Sequence, residues 1–424
     1  RCLVGSEMCI RDSVYPVRDF NFLDFQSRSH EYEHARLKVL LKLINHECDV
    51  AIACVDAVAQ LTVPRNVLEQ SVIEFEEGRE LSLEKATKAL TLLGYERFDA
   101  VEGSGQFSLR GGILDFFMPD SDYPVRCEFW GDEITDLSYF DIETQRRFKK
   151  ADKITLSPST EIVIEDRAAL ADKIEHKAKL LRSKNSAKAK EKLFSEAELI
   201  RSGAMIANAD KFINQIYDKP ESLFDYLDRN TLVFASEFTA IQERGKSMDF
   251  ISNETLMQGF EDGTLCRGFD RFALTFNECT EFLQSHGTIV LENFVHGSMP
   301  IKLSEIMSFS TKQLSAWGGS YKQLKEDVDG LFTPESKGVI FAGTERAAKN
   351  LCDTFNADGI NAVYSEGADK ISKGELLVMQ GALSAGFEYP SQKFFAITYS
   401  QVSYRPETVS YTHLRAHETS QDLV

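Results

Sequence analysis

The sequence predicts a multidomain α/β protein, and three stretches carry that prediction. Residues 30–54 pass from a helix-period run into a short apolar strand, residues 106–130 drop to a period of two, and residues 337–365 read strand, helix, strand. With 424 residues and 43% hydrophobic content the chain can bury ordinary cores. At about 150 residues per domain, that length predicts roughly two to four domains.

The balance of 48 basic against 66 acidic residues gives a net charge of -18. Phosphate backbones are held by concentrated Lys and Arg, so this charge argues against nonspecific adhesion to nucleic acid and favours a protein partner. The eight cysteines stand singly, with no CxxC pair to clip a zinc ion or shuttle electrons, which fits a reducing cytosol. No apolar run reaches the roughly 20 residues that span a bilayer, and the start lacks a signal-peptide pattern. A soluble, cytoplasmic protein without a membrane partner is expected.

The two ends are set apart. CLVGSEMCIRDS at 2–13 and VSYTHLRAHET at 409–419 resemble translated sequencing-adapter read-through, so 1–13 and 409–424 are excluded from fold reasoning. The exclusion removes His413 and His417, whose spacing of four would otherwise mimic a metal-ligand pair on one helix face. The remaining chain, 14–408, is expected to be cut at both ends from a longer protein.

Ser29 precedes HEYEHARLKVLLKLI, in which Tyr32, Leu37, Leu40, Leu41 and Ile44 recur at helical spacing. DVAIAC at 49–54 comes next as a short buried strand. Ser82 is placed to cap a helix over LEKATKALTLL, and Gly94 to end it. In QFSLR, Phe107 and Leu109 share one face while Gln106, Ser108 and Arg110 share the other. Gly111 and Gly112 loosen the backbone before ILDFFM, the turn DSDYP reverses the chain, and VRCEFW returns as the next strand of a small antiparallel meander.

In that returning strand Val125, Cys127 and Phe129 point to the core, which leaves Arg126, Glu128 and Trp130 on the opposite face. Trp and Arg together are the composition of a binding hot spot. The alternative is that Trp130 packs under a neighbouring domain and Arg126 pairs with Glu128 or Asp132.

Residues 168–229 read as helical. The stretch 173–192 carries eight Lys or Arg against two Glu and is read as a solvated helix face. NTLVFASE at 230–237 reads as a buried strand ending on a carboxylate, like a nucleotide-hydrolase strand with damage: Ala235 and Ser236 stand directly before the lone Glu237, so Mg²⁺ chemistry is not expected there. GKS at 245–247 mimics the end of a phosphate loop, but that pattern requires Gly five residues before Gly245, where Ala240 stands. No catalytic or metal-binding residue is assigned. Turn residues around Trp317, Gly318 and Gly319 mark where a last, separate α/β domain joins, and Gly359 ends its helix.

With these residues in view, GYERFDAVEGSGQFSLRGGILDFFMPDSDYPVRCEFWGDEITDLSYFDIETQRR at 94–147 resembles the transcription-repair coupling factor family. YPVRDFNFLDFQSRSHEYEHARL, SPSTE at 157–161 and GALSAGFEYPSQKFFAIT at 381–398 agree with it. The resemblance implies a degenerate RecA-like domain, UvrB-like, that has lost its nucleotide-binding motifs and carries an inserted small α+β domain that binds UvrA. It places a truncated first part of the RecA-like domain at 14–77, the insert at 78–158, the second part at 159–320 and a small α/β domain at 321–408. The family's UvrA contacts fall by motif on Arg110, Arg126 and Trp130, where Phe is the commoner ring at the last position. Ser236 and Glu237 end the damaged nucleotide-site strand.

The resemblance also implies an N-terminal fragment that recruits UvrA to lesion-stalled RNA polymerase. The ATP- and Mg²⁺-dependent translocase motor, and the contacts with RNA polymerase and duplex DNA, would belong to regions outside it. UvrB itself is the nearest rival, but its aromatic-rich DNA hairpin would have to fit within NFLDFQSRS at 21–29, which has no room for it. A helicase fragment with its own ATPase would need a phosphate loop and an acidic Mg²⁺ box, and a purely structural spacer would bind no UvrA.

Overall fold

Alternating apolar residues at 106–130 fold as the sequence predicts, into three neighbouring strands of a six-stranded sheet. The computed structural model of the protein describes residues 11–18, 30–71, 73–182, 186–203, 209–294, 299–314, 320–367, 371–383 and 385–399. The candidate cap at Ser29, the junction residues Trp317, Gly318 and Gly319, and both adapter-like ends other than 11–13 lie outside them. Two compact units result, 11–303 and the residues from 304 onward.

In the larger unit, β1 (Asp12–Tyr15) pairs in parallel with β2 (Val50–Ala53) and α1 (Glu31–Ile44) packs beside them. Leu37, Leu40 and Leu41 of α1 join Tyr15 in a core that is completed by α2 (Val55–Ala59) and α3 (Arg65–Gln70). The β2 strand departs from expectation. Rather than being buried, it exposes Val50 and Ile52, because among the described residues its only strand partner is β1 and only Ala53 of β2 packs against the neighbouring core.

The chain then leaves this core through β3 (Ile73–Glu76) and re-enters through β10 (Lys153–Leu156), which pair antiparallel from Ile73↔Leu156 to Glu76↔Lys153. Between them α4 (Leu83–Leu92) is capped by Ser82, whose hydroxyl accepts from the Lys85 amide at 3.3 Å. Gly94 comes after it with φ +87°, packed so closely on Thr160 that a Cβ would stand 2.4 Å from its methyl group. The sheet has the order β4 (Glu96–Arg97), β5 (Gln106–Arg110), β6 (Ile113–Phe116), β7 (Val125–Trp130), β8 (Glu133–Phe140) and β9 (Arg147–Lys150). Only β4–β5 is parallel. One face, bearing Phe107, Leu114, Phe116, Val125, Cys127, Phe129 and Leu137, closes over Ala86 and Leu90 of α4.

After the insert the chain forms a helical hairpin, α5 (Arg167–Leu180) and α6 (Ser186–Ser202), then α7 (Ile213–Ile216). The described parts of the basic run, 173–182 and 187–192, lie largely on the outside of this hairpin, where Lys173 pairs with Asp218 and Lys177 sits over the Phe269 ring. A parallel ribbon of β11 (Val233–Ser236) and β12 (Thr288–Leu291) is flanked by α8 (Phe238–Asp262) and α9 (Phe276–Ser285). Phe234, Ile289 and Leu291 are exposed on its open side. The described strands thus form several separate sheets of mixed α/β character rather than one continuous sheet.

The second unit has a six-stranded sheet of its own. Its order is β13 (Lys312–Leu314), β17 (Gly386–Tyr389), β18 (Phe394–Thr398), β14 (Lys337–Ala342), β16 (Glu375–Gln380) and β15 (Ala362–Tyr364). Helices α10 (Tyr321–Leu331) and α11 (Glu345–Ala357) cover one face through Leu324, Val328, Leu351 and Phe355. As the sequence predicts, Gly359 stands just past α11 with φ +81°.

One polar joint ties the insert to its host. Glu161, fully buried just after β10, accepts from Arg36 Nε at 2.6 Å and from Thr62 Oγ1 at 2.8 Å, with Arg18 Nε 3.5 Å away. Glu33 accepts from the Glu161 amide and the Thr160 hydroxyl, both at 2.9 Å. Removing one partner strands a buried charge. Glu161→Ala is therefore expected to lower the unfolding free energy of this unit by about 3–5 kcal/mol, read from the shift of its urea midpoint.

His34 adds a pH dependence to the same joint. Its Nε2 lies 3.1 Å from the Ser159 carbonyl, and burial holds its pKa below the ordinary value, against the pull of Glu33 and with the push of His30. The folded state therefore favours the neutral ring. Its contribution is complete above the unfolded value of about 6.5 and is lost as pH falls from there toward the lowered folded value. Asp120, whose carboxyl pKa is raised by burial, gains stability on acidification instead. The thermal midpoint of wild type is thus expected to fall more steeply than that of His34→Gln between pH about 7.5 and about 5.5.

Candidate functional site

Two tight hairpins shape one end of the insert sheet. Arg110 is the last residue of β5 and pairs with Ile113, leaving Gly111 and Gly112 as the turn; Trp130 is the last of β7 and pairs with Glu133, leaving Gly131 and Asp132. Two-residue turns of this kind need positive φ, which Gly111 (+61°) and Gly131 (+63°) supply. Gly112 meets a second demand: a Cβ there would stand 2.8 Å from the Phe129 carbonyl oxygen. Arg110 and Trp130 therefore project where the chain turns, at the same end of neighbouring hairpins.

Trp130 is 82% exposed, the most exposed large apolar residue among those described. Arg110 keeps half of its side chain in solvent, while Arg126 keeps only 12%. The strand register explains the difference. Asp115 on β6 stands opposite Arg126 on β7 and is 1% exposed. Arg126 grips it with two prongs, Nε to Oδ1 at 2.7 Å and Nη2 to Oδ2 at 2.9 Å, and Arg110 donates Nη2 to the same Oδ2 at 2.7 Å.

Arg126 is also held from behind. Its Nη1 donates to the Gln145 carbonyl at 3.1 Å and its Nη2 to Gln145 Oε1 at 3.0 Å, while the guanidinium lies 4.3 Å above the Phe140 ring. Gln145 adopts φ +58° in the β8–β9 loop to present both oxygens. The hydrogen bond to Asp115 raises the pKa of Arg126 above its already high ordinary value, burial opposing. The expected alternative partners, Glu128 and Asp132, are not the ones found: Arg147 takes Glu128 and also reaches Asp136 at 2.9 Å. Beneath the face, burial pushes the Cys127 thiol up to about 12, helped by Asp136, Asp115 and Glu128, so it packs as a neutral thiol.

Asp115 is the residue sequence reasoning missed. Its signal was available: a lone carboxylate inside ILDFFM sits at a strand position between Leu114 and Phe116, and a buried acid must find a cation. Which cation it finds depends on strand register, which the local pattern does not contain.

The second group of predicted site residues is elsewhere in this unit. Ser236 ends β11, and Glu237 comes next with φ +54°, its carboxylate accepting from the Asn293 side chain. The GKS triplet lies inside α8, where Gly245 is buried and packed so closely on the Phe276 ring that a Cβ would stand 2.1 Å from it. This glycine serves helix packing.

The fold and face together define a small sheet domain grafted into a host and presenting an exposed ring and guanidinium, and residues 73–162 match the family described as the UvrB interaction domain. Across the whole chain the similarity is to transcription-repair-coupling factors. It is 27% identical over 396 residues to that of Bacillus subtilis strain 168, covering 91% of this chain and 33% of the relative. It is 24% identical over 430 residues to that of Staphylococcus haemolyticus strain JCSC1435, covering 96% of this chain and 36% of the relative. The chain spans about a third of the length of these relatives. No helix among the described residues is long and apolar enough to cross a membrane.

Because Trp130 packs on so little, Trp130→Ala is expected to change stability by less than about 0.5 kcal/mol in urea unfolding. Its neighbour Phe129 faces the core, and Phe129→Ala is expected to cost about 3–5 kcal/mol in the same measurement.

Proposed function

We propose that the insert is a docking face for UvrA and that the chain acts in transcription-coupled DNA repair, as the N-terminal part of a longer coupling factor that brings UvrA to stalled RNA polymerase. The observation that carries this reading is the exposure of Trp130 at 82% in the domain that matches the UvrB interaction family. A large ring left in water on a rigid hairpin gains most when a partner covers it, and a nearby guanidinium adds directional bonds to a carboxylate. Trp130 presents a flat apolar ring with one N–H donor.

Arg110, Arg126 and Trp130 are the residues assigned to this face. ATP, Mg²⁺, RNA polymerase and duplex DNA are assigned to the remaining two-thirds of the longer relatives. Ser236 and Glu237 are read as remnants of a nucleotide site without catalytic work, a reading supported by the engagement of Glu237 with Asn293.

Titration calorimetry of the 424-residue chain against UvrA tests the proposal. Wild type is expected to bind, and the Arg110→Ala, Arg126→Ala, Trp130→Ala triple variant, with its fold verified by circular dichroism, is expected to lose about 100-fold or more in affinity. Equal binding by both would assign UvrA to another surface, and binding by neither would leave the chain a structural segment.

A further inference from the structure

The two arginines of the face have different surroundings, and the difference divides their work. Arg126 commits its donors inside the protein: two on Asp115 and two on Gln145, with Phe140 beneath its plane. Arg110 makes one bond to Asp115, and half of its side chain faces solvent. An arginine committed inward on one nitrogen and open on the rest is well placed to meet a carboxylate from outside.

We infer that Asp115 is a positioning residue that, clamped by Arg126, fixes the guanidinium of Arg110 for a partner carboxylate, and that Arg126 acts on the partner only through this relay. The inference rests on the proposal that this face docks UvrA. Three features of the structure support it. Asp115 is 1% exposed, so it cannot itself be the contact. Its carboxylate is held by Arg126 through both oxygens, so it has one orientation to offer Arg110. Arg110 stands at a turn of two glycines with half of its side chain in solvent, and the bond to Asp115 holds its guanidinium end.

A held guanidinium loses less freedom when it binds than a free one. Removing the hold should therefore weaken binding even though it leaves the face with one more net positive charge, the opposite of what simple charge attraction to an acidic partner would give. The sign of the effect separates positioning from bulk electrostatics.

A double-mutant cycle reads the relay directly. Affinity for UvrA is measured by calorimetry for the 424-residue chain as wild type, Asp115→Asn, Arg110→Ala and the Asp115→Asn, Arg110→Ala double variant. Asp115→Asn is expected to weaken binding about tenfold in the wild-type background, within the range for directly coupled neighbours, and to change it less than about twofold once Arg110 is gone. Arg126→Lys, which keeps the charge but not the two-pronged grip, is expected to give the same pattern and carries the test should Asp115→Asn misfold. A loss of the same size in both backgrounds would overturn the relay, because Asp115 or Arg126 would then act without Arg110; so would no loss, or a gain, in the wild-type background. Arg110→Ala binding as tightly as wild type would overturn the inference alone, whereas a wild-type chain that does not bind UvrA would overturn the docking reading and the inference with it.

Discussion

Glu161 keeps its carboxylate wholly out of water, and the arrangement of the larger unit depends on how that charge is satisfied. Arg36 comes from α1, Thr62 from the segment before α3, and Glu161 from the chain as it leaves the insert. Arg36 is also fully buried, stacked 4.2 Å from the Tyr15 ring and bonded to the Gln60 side chain at 2.9 Å. Arg18 completes the cluster, 2.9 Å from Asp210 and 3.7 Å from Glu33. Charges this deep are tolerated only when each finds its partners, so the cluster admits one register between host and insert. Apolar packing alone would permit several.

The face that bears Trp130 repeats that logic at smaller scale and nearer to solvent. Asp115 plays toward Arg126 the part that Glu161 plays toward Arg36: a buried carboxylate gripped by a guanidinium from a neighbouring element. The difference lies in what remains exposed. At Glu161 both partners are sealed, whereas at Asp115 a second arginine reaches in from the surface and Trp130 stands free on the next hairpin. Rigidity inside and an open ring outside are what a binding face requires.

Much of this was legible in the sequence where the determinants are local. The helix over 83–92 announced itself through Ser82 and Gly94, the meander through alternation and paired glycines, and the strand–helix–strand order of the last unit through its period changes. The outward face of VRCEFW was legible too, because the period of two leaves it no alternative. What was not legible depends on residues distant in the chain. The partner of Arg126 is set by the pairing of β6 with β7, and a bulge after Glu128 shifts the pairing of β7 with β8. The burial of β2 was misjudged for a related reason: its apolar residues predict cover on both faces, and a strand pattern does not say which segment supplies it.

The antiparallel pair β3–β10 brings the entry and exit of the insert side by side, with Ile73 directly across from Leu156. A domain whose two ends are hydrogen-bonded neighbours closes its own loop, so its folding asks almost nothing of the host's chain path and the host's folding asks little of its interior. Such a module can be exchanged whole between frameworks as long as the two strands and the Glu161 joint go with it. Evolution can then vary the host freely while the grafted sheet keeps its face unchanged.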